Sequence, residues 1–351
     1  MRVLVTGHAG YIGCALMPIL ERAGHEAVGL DNYLFEECTL GPAPRDGRAI
    51  RKDIRDVQRR DLEGFDAVIH LAGISNDPLG DLNPEITYEI NYRASVRLAE
   101  IAKQAGVGRF LFSSSCSNYG AAGSDVILDE NADFNPVTPY GHSKVLVERD
   151  VSRLADGAFT PVYLRNATAY GFSGRLRGDL VINNLVGWAY ITGMVRLKSD
   201  GTPWRPLVHI EDISRAFLAL LEAPREVVHN QAFNVGRTEE NYQIRDLGGI
   251  VMDTVPGSQV TFAEGAGPDK RCYRVNCDKI RAAVPAFQPC WTAAAGARQL
   301  YEAYRTFGLT LEDFEGARYM RIHHVKKLQS EGKLDSSLRW TNAASAAAPT
   351  R

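Results

Sequence analysis

The run Val3-Leu4-Val5-Thr6-Gly7-His8-Ala9-Gly10-Tyr11-Ile12-Gly13 decides how this chain is read. Residues 3–6 are a short β-rich stretch, and glycines 7, 10 and 13 are spaced G-x-x-G-x-x-G at the point where a helical pattern, 11–23, begins. Glycines at a strand-to-helix turn let the backbone approach a diphosphate and aim the first helical amides at it, although such turns also occur with no ligand. Context decides: a second β-rich run, 26–30, ends at Asp31, near the distance expected for a carboxylate that meets the ribose of a dinucleotide.

Working outward, further β-rich runs appear at 49–52, 67–71, 109–113 and 161–165, with helical patterns at 84–104 and 139–154. The second of these carries apolar Val145, Leu146, Val147, Val151 and Leu154. Such alternation predicts an α/β fold, a Rossmann-type doubly wound parallel sheet covered by helices on both faces. The second half has Gly and Pro punctuation near 171–178, 201–206 and 256–268 and reads as a smaller mixed α/β substrate-binding lobe. The predicted division is 1–168 for the dinucleotide domain, with a return to it at about 205–236. Residues 169–204 and 237–340 form the lobe, and the Ala-rich 341–351 a loose tail.

Composition excludes several alternatives. A chain of 351 residues, 45% apolar, can bury a large core, and a net charge of −2 with mixed signs offers no basic face for nucleic acid. Met1 and Arg2 lead straight into the first strand and no apolar run has membrane-spanning length, so neither signal peptide nor membrane is expected and the predicted location is cytoplasmic. The six cysteines form no CxxC pair and read as mostly buried thiols. His323 and His324 are adjacent rather than spaced as ligands on one helix face, so they read as polar helix residues and no metal is expected.

Two constellations carry chemistry. Asp31 can accept from both ribose hydroxyls and would repel a 2′-phosphate, while Asn32 and Tyr33 provide no arginine to hold one, so NAD is favoured over NADP. Asp53-Ile54, past the third strand, could meet an adenine or could be a plain loop. The other constellation is Tyr140-Gly141-His142-Ser143-Lys144, with Ser113-Ser114-Ser115 ending a strand upstream. One helical turn places Lys144 beside Tyr140. A phenol of pKa ~10 is a poor base at neutral pH, but a nearby ammonium favours phenolate, and a serine hydroxyl can share the substrate proton.

Together these residues resemble the extended short-chain dehydrogenase/reductases, specifically the NAD-dependent epimerase/dehydratase group acting on sugar nucleotides. The resemblance covers about residues 1–300 and rests on TGHAGYIG, Asp31, Asp53-Ile54, HLAG at 70–73, Asn91, SSSCSNYG at 113–120, YGHSK at 140–144, RPLVHIED at 205–212 and FNVG at 233–236. It implies a cofactor site of Gly7, Ala9, Gly10, Tyr11, Ile12, Gly13, Asp31, Asn32, Asp53, Ile54, Leu71, Ala72, Gly73, Asn91 and Ser113. To these it adds Tyr140 and Lys144, the latter also holding the nicotinamide ribose. It implies catalysis by Ser115, Tyr140 and Lys144. It implies substrate contacts from Ser115, Cys116, Ser117 and Thr168, from Asn183 on the substrate diphosphate, and from Arg205 with Asp269 or Arg271 on the nucleotide side. A homodimer through helices 84–104 and 139–154 is also implied.

Two departures bear on the reaction. Thr168 replaces a substrate-contacting asparagine in Arg165-Asn166-Ala167-Thr168. Cys116-Ser117 stands where 4,6-dehydratases of the family present Asp and Glu, and a thiol and a hydroxyl serve elimination of water poorly. The predicted activity is therefore sugar-nucleotide epimerisation at C4 through a transient 4-keto sugar. A 4-ketoreductase or dehydratase of deoxysugar assembly is the alternative, and a non-catalytic dinucleotide sensor is disfavoured by the presence of Tyr140 and Lys144.

Overall fold

The computed structural model describes residues 1–44, 47–75, 77–123, 125–263 and 272–341. Asp269, Arg271 and nearly all of the predicted tail lie outside them. Seven strands, Arg2–Thr6, Glu26–Asp31, Ala49–Arg51, Ala67–His70, Arg109–Ser115, Thr160–Asn166 and Gln231–Val235, form one sheet in which every pairing is parallel. Numbered in that chain order, they lie side by side as 7-6-5-4-1-2-3. Chain direction across the sheet reverses beside the first strand, and in open α/β sheets ligands bind at such a switch point, outside the strand C-termini.

Period-two alternation sorts the strand residues onto two faces. Val3, Val5, Ile69, Leu111 and Val162 pack under Leu16, Met17 and Leu20 of helix Tyr11–Arg22 and Phe217 and Leu220 of helix Ile210–Glu222. Leu4, Val28, Val68, Phe110 and Phe112 pack under Leu98 and Ala102 of helix Ala94–Gln104 and Val147 and Val151 of helix Pro139–Ser152. Each such buried Val, Leu, Ile, Met or Phe side chain contributes about 1.5–3 kcal/mol. The fully buried His70 ties the two central strands together: Nδ1 is 2.6 Å from Thr6 Oγ1 and Nε2 is 2.8 Å from Ser95 Oγ. Burial lowers its pKa to about 3, so the ring stays neutral.

The helix expected over 84–104 is interrupted. Helix Pro84–Tyr88 passes through a π turn, Glu89–Arg93, into Ala94–Gln104, with the Ala94 N–H donating to the Glu89 carbonyl five residues back. Such turns cluster at functional sites, and this one carries Asn91.

A second layer surrounds a separate core in which helices Val181–Thr192, Ile244–Thr254 and Ala293–Phe307 contribute Leu185, Val186, Leu247, Val251, Ala297 and Leu300. Beside it lies a three-stranded sheet of Asn241–Gln243, Trp204–His209 and Thr168–Tyr170. Of the stretch 205–236, Gln231–Val235 completes the main sheet and helix Ile210–Glu222 covers it, whereas strand Trp204–His209 belongs to the smaller sheet. The C-terminal end departs from the expectation that it belongs to the lobe. Val325, Leu328, Leu334 and Leu338 bury against Leu34, Ile74 and Leu79 on the dinucleotide side. Among the described residues no helix is long and apolar enough to cross a membrane.

Candidate active site

A cleft of about 780 Å³ runs along the C-terminal ends of the parallel strands. At one wall is the glycine turn. Gly7 has φ +77°, and a Cβ there would lie 2.7 Å from the Ala72 nitrogen, while a Cβ on Gly13 would run into the His8 carbonyl oxygen. Helix Tyr11–Arg22 opens at Gly10 without a side-chain cap. Its first amides are thus left for an anion. This cradle, with Ile12 beside Gly10 and Tyr11, fits the diphosphate of a dinucleotide.

Asp31 lines the same cleft, its Oδ2 accepting from Ala9 N at 3.1 Å and its Oδ1 from Tyr33 N at 2.7 Å. Burial pushes its pKa up against those hydrogen bonds. Asn32, Asp53, Ile54, Leu71, Ala72 and Gly73 complete this wall. At Asp53 burial acts to raise the pKa, but hydrogen bonds from Arg55 at 2.7 and 2.9 Å outweigh it and hold the carboxyl below its ordinary value. Asn91 does not reach the cleft. It is 1% exposed and trades two 2.7 Å hydrogen bonds with the Ile74 backbone, so it holds the loop after Gly73 from behind.

Helix Pro139–Ser152 starts with Thr138 as N-cap and proline in its first turn, which sets Tyr140 at the cleft and Lys144 one turn later. Lys144 Nζ donates to the Ser113 carbonyl at 2.7 Å and lies 5.6 Å from the Tyr140 ring centre. Burial strips water from the ammonium and brings its pKa down to about 7. Ser115, at the end of its strand, accepts from Ser117 N at 3.1 Å, and both serines line the cleft. Ser113 and Asn166 lie beside them, with Asn166 Nδ2 donating to Ser113 Oγ at 3.0 Å.

Cys116, expected among the substrate contacts, does not line the cleft. The 3-10 turn Cys116–Tyr119 swings it away from the cleft into a buried cluster with Tyr119, Val275 and Cys277. Its Sγ donates to the Arg165 carbonyl at 3.1 Å, and burial drives the thiol pKa far up, which keeps it protonated.

Thr168 and Arg205 line the far part of the cleft. Asn183 does not. It is fully buried, accepts from Gly171 N at 3.1 Å and donates to the Gly171 and Arg177 carbonyls, so its amide is spent on shaping the 171–178 loop. The next residue, Asn184, faces the cleft instead, because one step along a helix turns the side chain by about 100°. The adjacent pair Asn183-Asn184 was the available signal, and sequence alone does not say which of two neighbouring amides faces inward. Sequence reading also passed over Arg177 and Asp179, a buried ion pair at 2.8 Å, together with Lys52, Arg196 and Lys198 and the C-terminal residues Met320, Arg321, Ile322 and Leu338.

The model of the NAD dependent epimerase/dehydratase family matches residues 3–236, two thirds of the chain. The chain belongs to that family. It is 30% identical over 261 residues to a UDP-glucose 4-epimerase of Neisseria meningitidis serogroup C, covering 67% of this chain and 77% of the relative. Among solved structures, MoeE5 in complex with UDP-glucuronic acid and NAD is 27% identical with a TM-score of 0.75, over 87% of this chain and 99% of that one. DesIV, a dTDP-glucose 4,6-dehydratase from Streptomyces venezuelae, is 25% identical with a TM-score of 0.74, over 87% and 97%. Like the family, this enzyme uses NAD, and the glycine cradle with Asp31 fits that cofactor.

Proposed function

We propose that the protein interconverts the C4 epimers of a nucleoside-diphosphate sugar, with a uridine diphosphate hexose as substrate class. The observation that carries this reading is the juxtaposition of Tyr140, Lys144 and Ser115 in the dinucleotide cleft, with a buried, protonated Cys116 at the position where elimination would need an acid. The uridine nucleotide follows the curated relatives, which are UDP-glucose 4-epimerases.

Tyr140, as phenolate, takes the proton of the sugar 4-hydroxyl, and Ser115 shares it by hydrogen bonding. Lys144 stabilises the phenolate across the helical turn, since a nearby ammonium favours the charged form of a phenol. Bound NAD supplies the hydride acceptor and donor at C4. The 4-keto sugar then turns over in the cleft while its diphosphate stays anchored, for which the cleft-lining Asn184, Arg205, Arg196 and Lys198 are the candidates. Tyr140 returns the proton once the opposite face is presented.

Substrate deuterated at C4 is expected to keep its label in the epimerised product, as read by mass spectrometry. Label lost to solvent, a 4-keto-6-deoxy product, or net NADH consumption would each count against the assignment. For assembly we propose a homodimer across helices 84–104 and 139–154, supported by the half-exposed Val145 and Leu146 on the second of them. Sedimentation at micromolar concentration should report twice the 38.6 kDa chain mass, and a monomer there would overturn the dimer.

A further inference from the structure

Helix Arg321–Ser330 lies beyond the region matched by the family model, yet Met320, Arg321 and Ile322 at its start line the cleft. Arg321 is 3% exposed, and its guanidinium stacks 3.9 Å over the Phe35 ring. Its Nη1 is buried with no hydrogen-bond partner among the described residues. An arginine does not escape by losing its proton, so a buried guanidinium with unmet donors is costly unless an anion arrives. Two acidic groups act on it, first the Cys38 thiol, which also hydrogen-bonds it, and then the Asp179 carboxylate, whose two oxygens are already taken by Arg177 at 3.0 and 2.8 Å. The Cys38 thiol beside it is held neutral by burial. Arg177, Asp179 and Arg321 therefore leave one positive charge uncompensated. The helix adds to that potential, since it opens with no side-chain cap and no acid in its first turn.

Two diphosphates could supply the anion, that of the dinucleotide and that of the sugar nucleotide. Position favours the first. Val325 and Leu328 of the same helix pack on Leu34 and Ile74, in the loops that follow Asp31 and Gly73, and His324 Nε2 is 3.0 Å from the Leu34 carbonyl. Arg177 and Arg321 both act electrostatically on the hydroxyl of Tyr11, the residue that opens the helix after the glycine turn. The far part of the cleft has its own cations in Arg196, Lys198 and Arg205.

We infer that Arg321 is a cofactor-binding residue that closes over the NAD diphosphate opposite the glycine turn, so that the C-terminal segment forms a wall of the dinucleotide site. Bound there, the guanidinium makes charge-assisted hydrogen bonds to phosphate oxygens while Phe35 holds its plane.

The test is calorimetric titration of nucleotide-stripped protein with NAD, adenosine and UDP, for the wild type, Arg321→Met and Arg321→Lys. Arg321→Met keeps the apolar stem and removes the charge. It should weaken NAD roughly ten- to a hundredfold and leave adenosine and UDP within about twofold. Arg321→Lys should recover part of the NAD affinity. Without nucleotide, the melting temperature of Arg321→Met should be equal to or above wild type, because an unpaired buried charge has been removed. Unchanged NAD affinity, an equal loss for adenosine, or a loss confined to UDP would each overturn the assignment. If Arg321→Met does not fold, the role is structural unless Arg321→Lys folds and shows the selective NAD defect.

Discussion

Tyr140→Phe is expected to lower turnover by about a hundredfold or more while leaving NAD binding unchanged. The substitution removes one oxygen from a half-exposed side chain in the first turn of its helix, so the backbone, the Thr138 cap and the packing of Val147 and Val151 have no reason to move. What disappears is the group that exchanges a proton with the sugar hydroxyl, and general acid–base catalysis of this kind is worth 10²–10⁴-fold. Lys144 cannot substitute, because its Nζ is buried and committed to the Ser113 carbonyl. Steady-state rates with a UDP-hexose, set against calorimetric NAD affinity, give the comparison. A variant retaining more than a tenth of wild-type kcat would remove Tyr140 from the proton path.

The largest expected effect on stability lies behind that site. Arg165 and Glu148 form a buried ion pair with contacts at 2.8 and 3.2 Å, and Glu148 also accepts from the Ser114 hydroxyl and from Asn118 Nδ2. Arg165 donates further to the Glu130 carbonyl at 2.9 Å and to the Tyr119 hydroxyl at 3.1 Å. Glu148→Ala leaves the guanidinium, 6% exposed by residue, without its carboxylate. Breaking a buried pair from one side costs roughly 3–5 kcal/mol, and that loss is expected in urea unfolding. Replacing both partners with apolar residues of similar volume, Glu148→Leu with Arg165→Met, should restore much of it, since no unpaired charge remains. A loss below about 1 kcal/mol in Glu148→Ala would mean that water or another residue takes over the carboxylate's role.

Glu148 stands one turn after Lys144 on the helix that carries Tyr140, and Ser114 adjoins Ser113 on the strand that Lys144 touches. The ion pair therefore ties that helix to strand Thr160–Asn166, and Glu148 also ties it to strand Arg109–Ser115 through Ser114. Nothing in Arg165-Asn166 or Val147-Glu148 announces this, because the two charges are 17 residues apart and resemble ordinary surface residues along the chain. Sequence reading had no means to pair them.

The contrast has one physical origin. Residues 3–13, Asp31 and Tyr140 to Lys144 could be read in advance because their meaning is local: a turn conformation open to glycine, a strand end, one helical turn between a phenol and an ammonium. The alternation of strands and helices is local in the same sense, since periods of 2.0 and 3.6 residues state which face is apolar, and parallel connections leave few ways to assemble it. Orientation within a turn and contacts between distant segments are not local. Asn184 rather than Asn183 faces the cleft, and Cys116 turns into the core while Ser117 does not, because of how each helix or turn is rotated against its neighbours. The C-terminal segment carries no recognisable motif, and it reaches the cofactor cleft only because Val325, Leu328, Leu334 and Leu338 find their apolar partners at Leu34, Ile74 and Leu79, some 250 to 300 residues earlier in the chain. Burial of that face is a property of the folded whole, and it alone brings Arg321 to the cleft.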